Sequence, residues 1–336
     1  MSRSHVSRGL ALLLATTLLA ACSAPSASPS VAPSQAQSTP STAPSAEPTA
    51  AAAFPVSLTD DEGTTVAIAT EPMKIVSLSP ANTEILFELG VGDRVVATDS
   101  ASDYPAEAGP LPDVADFASV DVETIVSLDA DLVLAAGLGF TPPEVIAQLR
   151  DLDIPVVVVY APTVDAVLDD IELIGASVGR LDEAGVLTAA VRAEIDAITD
   201  AVAEAGTPPR TFYDVGYDDT TGQIFAPADQ SFVAEMLTLA GADTITTGDP
   251  NSYEIPLERL IAEDPALIIL GVNAFYAPTA EQVAARTGWD VLSAVKTGAI
   301  RQVPDTEITR PGPRLPLGLR NLVGAIWPDL TLPAAP

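Results

Sequence analysis

One cysteine and one histidine occur in 336 residues, and both stand within the first 22. Cys22 therefore has no disulfide partner in the chain. Beyond His5 there is no imidazole, which removes the usual general base near neutral pH and the commonest protein ligand of transition metals. Positive charge is also scarce: 15 Lys and Arg face 46 Asp and Glu, a formal net charge of −31. That balance argues against a nucleic-acid partner, because phosphate binding needs a basic patch. It favours solubility and says nothing of fold. No C-x-x-C, H-E-x-x-H or Walker motif is present. Asp60-Asp61-Glu62 and Asp218-Asp219 read as solvated turns, and neither matches an EF-hand loop. Gly137-Leu-Gly139 is only a fragment of a nucleotide-binding pattern. Gly175-Ala-Ser177-Val-Gly179 has the spacing of a nucleophile elbow, but an elbow serine follows a strand, whereas Asp170-Ile-Glu-Leu-Ile174 reads as helix. With no histidine to serve as base, a surface hydrolase built on Ser177 is only the contrasting reading.

What is present begins with an export signal. Arg3 and Arg8 precede an apolar stretch over 10–21 that is too short to span a bilayer in a mature protein. It ends in Leu19-Ala20-Ala21-Cys22, a string that resembles the lipobox of bacterial lipoproteins, where the cysteine becomes a lipidated N-terminus. Residues 1–21 are thus expected to be a signal peptide, and the mature protein to be extracytoplasmic, lipid-anchored to the outer face of the cell membrane or in the periplasm. Losing Arg3 and Arg8 takes the net charge from −31 to −33 and removes the last histidine. Residues 22–53 are rich in Ser, Pro, Ala and Thr and read as a tether, reaching roughly 95 Å if fully extended as polyproline II.

From residue 54 onward 48% overall hydrophobic content is organised as alternating strands and helices. Phe54-Pro-Val-Ser-Leu and Thr65-Val-Ala-Ile flank a turn in which Gly63 supplies positive φ. Lys74-Ile-Val-Ser-Leu78 reads as a buried strand leading to a helix that starts at Ser79-Pro-Ala-Asn and is closed by Gly90. Strands follow at 94–97, 130–134 and 155–160, the last nearly all valine, as expected for a parallel sheet buried on both faces. Helices are expected after Pro142-Pro143, over 165–178, and over 182–205. In that last helix Asp182 is the expected N-cap, with Val186, Ala190, Ala193, Ala197 and Ala201 as a small or apolar stripe. A second set repeats the theme: strand 211–215, helix 231–239 closed by Gly241, helix 258–262, strands 266–270 and 301–303, and a helix from Pro313 to just before Trp327. The fold class is α/β, with two Rossmann-like lobes (54–180 and 207–332) whose sheets are mostly parallel, joined by one long spine helix over 181–206. Ligands of such sheets sit beyond the carboxyl ends of the strands.

The two halves share a frame. Glu123-Thr-Ile-Val-Ser-Leu-Asp129-Ala-Asp-Leu-Val-Leu134 and Glu258-Arg-Leu-Ile-Ala-Glu-Asp264-Pro-Ala-Leu-Ile-Ile269 both read Glu-x-apolar-apolar-x-x-Asp-x-x followed by three apolar residues, 135 positions apart. That offset is about one domain length, too long for a solenoid repeat. Each lobe carries one glutamate near a helix start, where a carboxylate suits the dipole.

Several stretches carry a family resemblance: Lys74-Ile-Val-Ser-Leu-Ser-Pro-Ala-Asn-Thr-Glu-Ile-Leu-Phe-Glu-Leu-Gly90, Ser102-Asp-Tyr-Pro105, Val122-Glu123 through Asp131-Leu-Val133, Arg310-Pro-Gly-Pro-Arg314-Leu, and Trp327-Pro328. Together they resemble the substrate-binding proteins of cobalamin and ferric-siderophore ABC importers, over about 54–328. The resemblance implies two lobes that move little on binding, and a metal chelate (siderophore iron or a corrinoid) held between them. It implies a monomer with no enzymatic activity and no cofactor of its own, the ligand supplying the iron or cobalt. It also implies that Glu123 and Glu258 project from the lobe tops toward arginines of an ABC permease. Phe117 stands where cobalamin binders keep an aromatic, and Arg310 lies in their cleft-side C-terminal loop. At other aromatic positions of those proteins this chain has Ala101, Ala136 and Ser252. Tyr253 is next door to the last, and Tyr217 and Phe140 fall on expected rim loops. Heme is disfavoured by the missing histidine, although a tyrosine ligand is chemically available. A tethered structural or adhesion module is the other contrasting class.

Overall fold

The computed structural model describes residues 54–116, 118–274 and 276–335. Cys22, the signal and tether segments, and Phe117 lie outside them. Strand β1 (Val56–Thr59) pairs antiparallel with β2 (Thr65–Ile68), Val56 opposite Ile68, around the turn at Gly63, whose φ is +77°. Next come β3 (Ile75–Ser77), helix α1 (Pro80–Glu88), β4 (Val95–Asp99), β5 (Asp113–Ala115), α2 (Val122–Ser127), β6 (Leu132–Ala136), α3 (Pro143–Asp151) and β7 (Val156–Val159). Ser79 caps α1, its Oγ accepting from the Asn82 N–H at 3.2 Å, and Gly90 ends it at φ +73°. The parallel sheet runs β5-β4-β3-β6-β7. Strand β5 was not foreseen. It is three residues long, follows two prolines and lies at the sheet edge, where period-2 patterning has no length in which to appear.

The hairpin turn departs from the sequence reading. Asp60, expected in solvent, is 4% exposed. Its Oδ2 accepts from Arg150 Nη2 at 2.8 Å, and the Asp61 N–H donates to the Val158 carbonyl at 3.1 Å. The turn is docked on the free edge of β7, covering backbone groups that an open edge would expose. Asp218, by contrast, does form a surface turn with Thr220 and Thr221.

Helix α4 (Val164–Ser177) leads to α5 (Leu181–Ala203), the spine, about 35 Å long. Asp182 does not cap it. Arg180 occupies the cap position without a side-chain bond, and Asp182 sits in the first turn, where its charge still suits the dipole. The buried stripe is Ala184, Thr188, Val191, Ile195, Ile198 and Val202, while Val186 is 73% exposed. The branched residues recur at the helical spacing, and their larger apolar area outweighs that of the alanines on the neighbouring face.

The second half contains β8 (Arg210–Asp214), β9 (Gly216–Tyr217), β10 (Ile224–Phe225), α6 (Phe232–Leu239), β11 (Asp243–Ile245), α7 (Leu257–Glu263), β12 (Leu267–Val272), α8 (Ala280–Ala284), α9 (Ser293–Thr297), β13 (Ile300–Pro304), α10 (Thr306–Thr309) and α11 (Leu315–Ile326). Its parallel sheet runs β11-β8-β12-β13. Both sheets are buried on both faces. Val133, Ala135, Val156 and Val158 point to one side with Ile125 and Leu149, whereas Leu132, Leu134, Val157 and Val159 point to the other. In the second sheet Ile268 and Leu270 pack with Phe212 and Trp289 on one face, and Leu267 and Ile269 on the other. The inward faces of both sheets meet α4, α5, α6 and α11 in one continuous apolar cluster. The lobes are therefore welded through a shared core rather than hung on a flexible linker.

The 135-residue frame survives folding. Helix α7 and strand β12 repeat α2 and β6 at that offset, and each strand lies beside the first strand of its lobe's sheet. The aspartate of the frame has the same unusual role twice: Asp129 and Asp264 follow the two helices in the left-handed region, at φ +53° and +41°.

Candidate functional site

Both sheets turn their carboxyl-end loops toward the boundary between the lobes, and three contacts join them there. Tyr160, just past β7, is close enough to Tyr253 of the other lobe for its hydroxyl to be pushed up by burial and, secondarily, by that second phenol. The Val164 N–H donates to Glu235 Oε2 at 2.8 Å. The third contact is an ion cluster. Glu84 of α1 has a side chain only 1% exposed, and it faces two arginines from the segment joining α10 to α11. Arg314 donates Nε to Glu84 Oε2 at 2.8 Å and Nη2 to Oε1 at 2.6 Å, a forked pair. Arg310 donates Nη1 to Glu84 Oε1 at 3.2 Å and to Asp103 Oδ1 at 2.7 Å, and Nη2 to the Ala101 carbonyl at 3.1 Å. Arg314 also reaches Glu307 at 2.8 Å and lies 4.1 Å over the Tyr104 ring. Hydrogen bonding to Glu84 raises the Arg314 guanidinium above its ordinary value.

Large side chains are held out on the rims. Leu138 and Phe140, in the loop after β6, are 70% and 74% exposed, and Tyr253 is 52% exposed. The loop is shaped by two left-handed residues, Leu138 at φ +53° and Gly139 at +79°. At its start Gly137 lies so close to Tyr160 that a Cβ would meet that residue's Cβ at 2.8 Å.

A second polar cluster underlies the C-terminal rim. Asp214, fully buried at the end of β8, accepts from Arg286 Nη1 at 2.8 Å and from the Tyr276 hydroxyl at 2.9 Å, while Arg286 Nη2 donates to the Tyr276 oxygen at 2.7 Å. The guanidinium is sandwiched, its carbon 4.2 Å from the Tyr217 ring and 4.6 Å from the Trp289 ring. Alongside, the Tyr213 hydroxyl donates to Asp305 Oδ1 at 2.7 Å. Burial pushes the Asp214 carboxyl up against the opposing pull of Arg286 and Tyr276, and burial with the Asp214 charge pushes the Tyr276 hydroxyl up. Both partners fall on Oδ2, and Oδ1 is buried without a hydrogen-bond partner among the described residues; the paired oxygen fixes Arg286 and Tyr276 in place.

The expected site residues fare differently in the fold. Phe140 and Tyr253 stand exposed on opposite lobes. Tyr217 is not a free rim aromatic, because it packs on Arg286 and edge-on to Trp289 at 6.2 Å. Arg310 is engaged by carboxylates and a carbonyl of the other lobe, so its first role is to bridge. Glu123 and Glu258 are exposed in the first turns of α2 and α7. Ser177, far from any elbow, is buried at the end of α4 with its Oγ donating to the Ile174 carbonyl at 2.7 Å. Among the described residues no three His, Cys, Asp or Glu side chains converge on a cation position. Sequence reading missed Glu84, Tyr160, Asp214, Tyr276 and Arg286. A usable signal existed for Asp214, which directly ends a buried strand, and for Arg286, one of only 15 basic residues in the chain.

Two parallel α/β lobes on a shared core, with their strand ends turned to one boundary, are the architecture of a solute-binding protein. The chain belongs to the periplasmic binding protein family, whose match covers residues 75–306; this is a family of binders and not of enzymes. It is 31% identical over 325 residues to the ABC transporter substrate-binding lipoprotein YvrC of Bacillus subtilis, across 95% of this chain and 96% of that protein. It is 29% identical over 274 residues to a cobalamin-binding protein of Halobacterium salinarum, across 79% of this chain and 72% of that protein. Among solved structures, a periplasmic heme-binding protein from Roseiflexus sp. RS-1 superposes with a TM-score of 0.68 at 26% identity, covering 77% of this chain and 99% of the other.

Proposed function

We propose that this chain is the substrate-binding protein of an ABC importer, lipid-anchored through Cys22 at the outer face of the membrane. It captures a metal chelate, a corrinoid or a ferric siderophore, between its lobes and delivers it to the permease as a monomer. The observation that carries this reading is the pair of rims: Phe140 and Tyr253 exposed on opposite lobes, the second lobe being stiffened by the stack of Tyr217, Arg286 and Trp289. Exposed aromatic side chains suit a bulky, polarisable guest, which they contact by stacking rather than by a metal bond from the protein. Phe117, outside the described residues, is assigned to the ligand in this reading by resemblance alone, and Arg310 contributes charge. The cobalamin-binding relative supports the corrinoid arm.

A tryptophan-quench titration with cobalamin, a hydroxamate chelate, a catecholate chelate and heme tests the reading. Saturable quenching of tryptophan emission by cobalamin or one siderophore class is expected; silence toward all four would end the proposal, and heme alone would move the ligand class. Phe140→Ala with Tyr253→Ala is expected to weaken the retained ligand by about 2 kcal/mol, read as a shift in the same titration. For delivery, Glu123→Arg with Glu258→Arg is expected to leave ligand affinity unchanged and to abolish uptake. Charges placed this way steer docking and set its register. Undiminished uptake in the double variant would remove the docking role.

A further inference from the structure

The repeat that carries Glu123 and Glu258 carries a second pair of exposed residues. In Ile125-Val126 and Leu260-Ile261 the first member is fully buried in its lobe, yet the second is not: Val126 is 42% exposed and Ile261 37%. They are 135 positions apart, like the glutamates, and each lies three residues after its glutamate, on the same helix face. A single exposed valine needs no explanation. Two branched apolar residues kept outward at equivalent places in halves that otherwise differ call for one. Ser or Lys at either position would gain hydration over the exposed part of the side chain.

The charge beside each is uncommitted. Asp121 spends its carboxylate on the Thr124 N–H at 3.0 Å and the Thr124 hydroxyl at 2.7 Å. Arg259, the one base on the two helices, is turned away to the Thr247 carbonyl and to Glu263 at 3.9 Å. Among the described residues no ion pair engages Glu123 or Glu258. The left-handed Asp129 and Asp264 end both helices alike, so each lobe presents the same small face: a free carboxylate and, one turn on, a branched apolar side chain.

We propose that Val126 and Ile261 are the apolar half of the permease-docking surface, each inserting into an apolar socket that flanks a permease cation. This rests on the importer reading above. A partner that engages both faces must offer the same contact twice, as a two-fold dimer does. Within each face the labour divides: the carboxylate governs encounter, and burial of the branched side chain governs how long the complex lasts.

The test uses the full ligand-loaded chain and the permease in nanodiscs, with association and dissociation read separately. Val126→Ser with Ile261→Ser is expected to speed dissociation about tenfold or more, leaving the association rate, its salt dependence, the melting temperature and ligand affinity unchanged. Leu152→Ser with Val186→Ser, exposed apolar residues off these helices, is the control and is expected to change nothing. Should the serine pair lower the melting temperature, Val126→Thr with Ile261→Thr, which keeps β-branching at both positions, gives the same comparison. Unchanged dissociation, or equal acceleration in the control pair, overturns the proposal. If the glutamate reversals still abolish docking while the serine pair is silent, only the apolar role falls. If both sets dock normally, the importer-docking reading falls with it.

Discussion

Glu84→Ala is expected to cost about 3–5 kcal/mol, the usual loss when one member of a buried ion cluster is removed. The magnitude follows from what is left behind. Arg314 and Arg310, with side chains 16% and 15% exposed, would lose a shared carboxylate that receives three of their N–H donors. Arg314 would keep Glu307 and Tyr104, and Arg310 would keep Asp103 and the Ala101 carbonyl, so neither is fully stranded. Because the carboxylate comes from α1 and the arginines from the loop before α11, the loss also loosens the lobes relative to each other. A urea titration reads the first effect. Distances between spin labels at exposed Leu152 and Val291, one on each lobe, read the second, and their distribution is expected to broaden. A cost below about 1 kcal/mol, the range of solvent-exposed pairs, would show that the cluster does not hold the lobes.

Asp170→Asn is expected to stabilise the protein, and increasingly so as pH rises. Asp170 is 4% exposed on α4, and its carboxyl is pushed up to about 9, first by burial, then by the charge and hydrogen bond of Asp61 and by the charge of Asp169. The unfolded value is near 3.8. Between those limits the folded chain binds a proton that the unfolded chain does not. Stability therefore falls with rising pH, by about 1.4 kcal/mol per unit, and the full loss is reached only above the folded value. Asparagine keeps an N–H donor for the Asp61 carboxylate without the need for that proton. At pH 8 a gain on the order of 3 kcal/mol is expected, shrinking toward nothing near pH 4. Melting temperatures of both proteins across pH 4 to 9 check it. A difference that does not change with pH, or a destabilised variant at pH 8, would show that Asp170 is ionised in the fold.

These two residues mark the boundary of what was legible. Strands β3, β6, β7 and β12 were readable because a strand buried on both faces must be continuously apolar, and the helix limits at Ser79, Gly90, Ser231 and Gly241 because caps are local chemistry. The repeat was readable because its frame spans barely a dozen residues. Strands β5 and β11 were not: at three residues each, with only one of the three buried, they show neither an apolar run like that of β3 nor a period. The spine's existence was plain, but its buried stripe was misassigned. Which of two neighbouring apolar faces turns inward is settled by the elements packed on it, not by the helix. Asp60 read as a solvated turn for the same reason, since only β7 and Arg150 make it a buried one.

By itself the amino-acid order determined the alternation of strand and helix, the repeated frame of the two halves, the export signal expected at the start, and the scarcity of histidine, because each depends on residues near one another or on composition. The tertiary structure alone decided that Glu84 meets an arginine 230 residues away, that Asp170 is buried within reach of the Asp61 carboxylate, and that Val126 faces outward beside Ile125 facing in. Such pairings depend on which surfaces the shared core brings together, and no run of neighbouring residues records that.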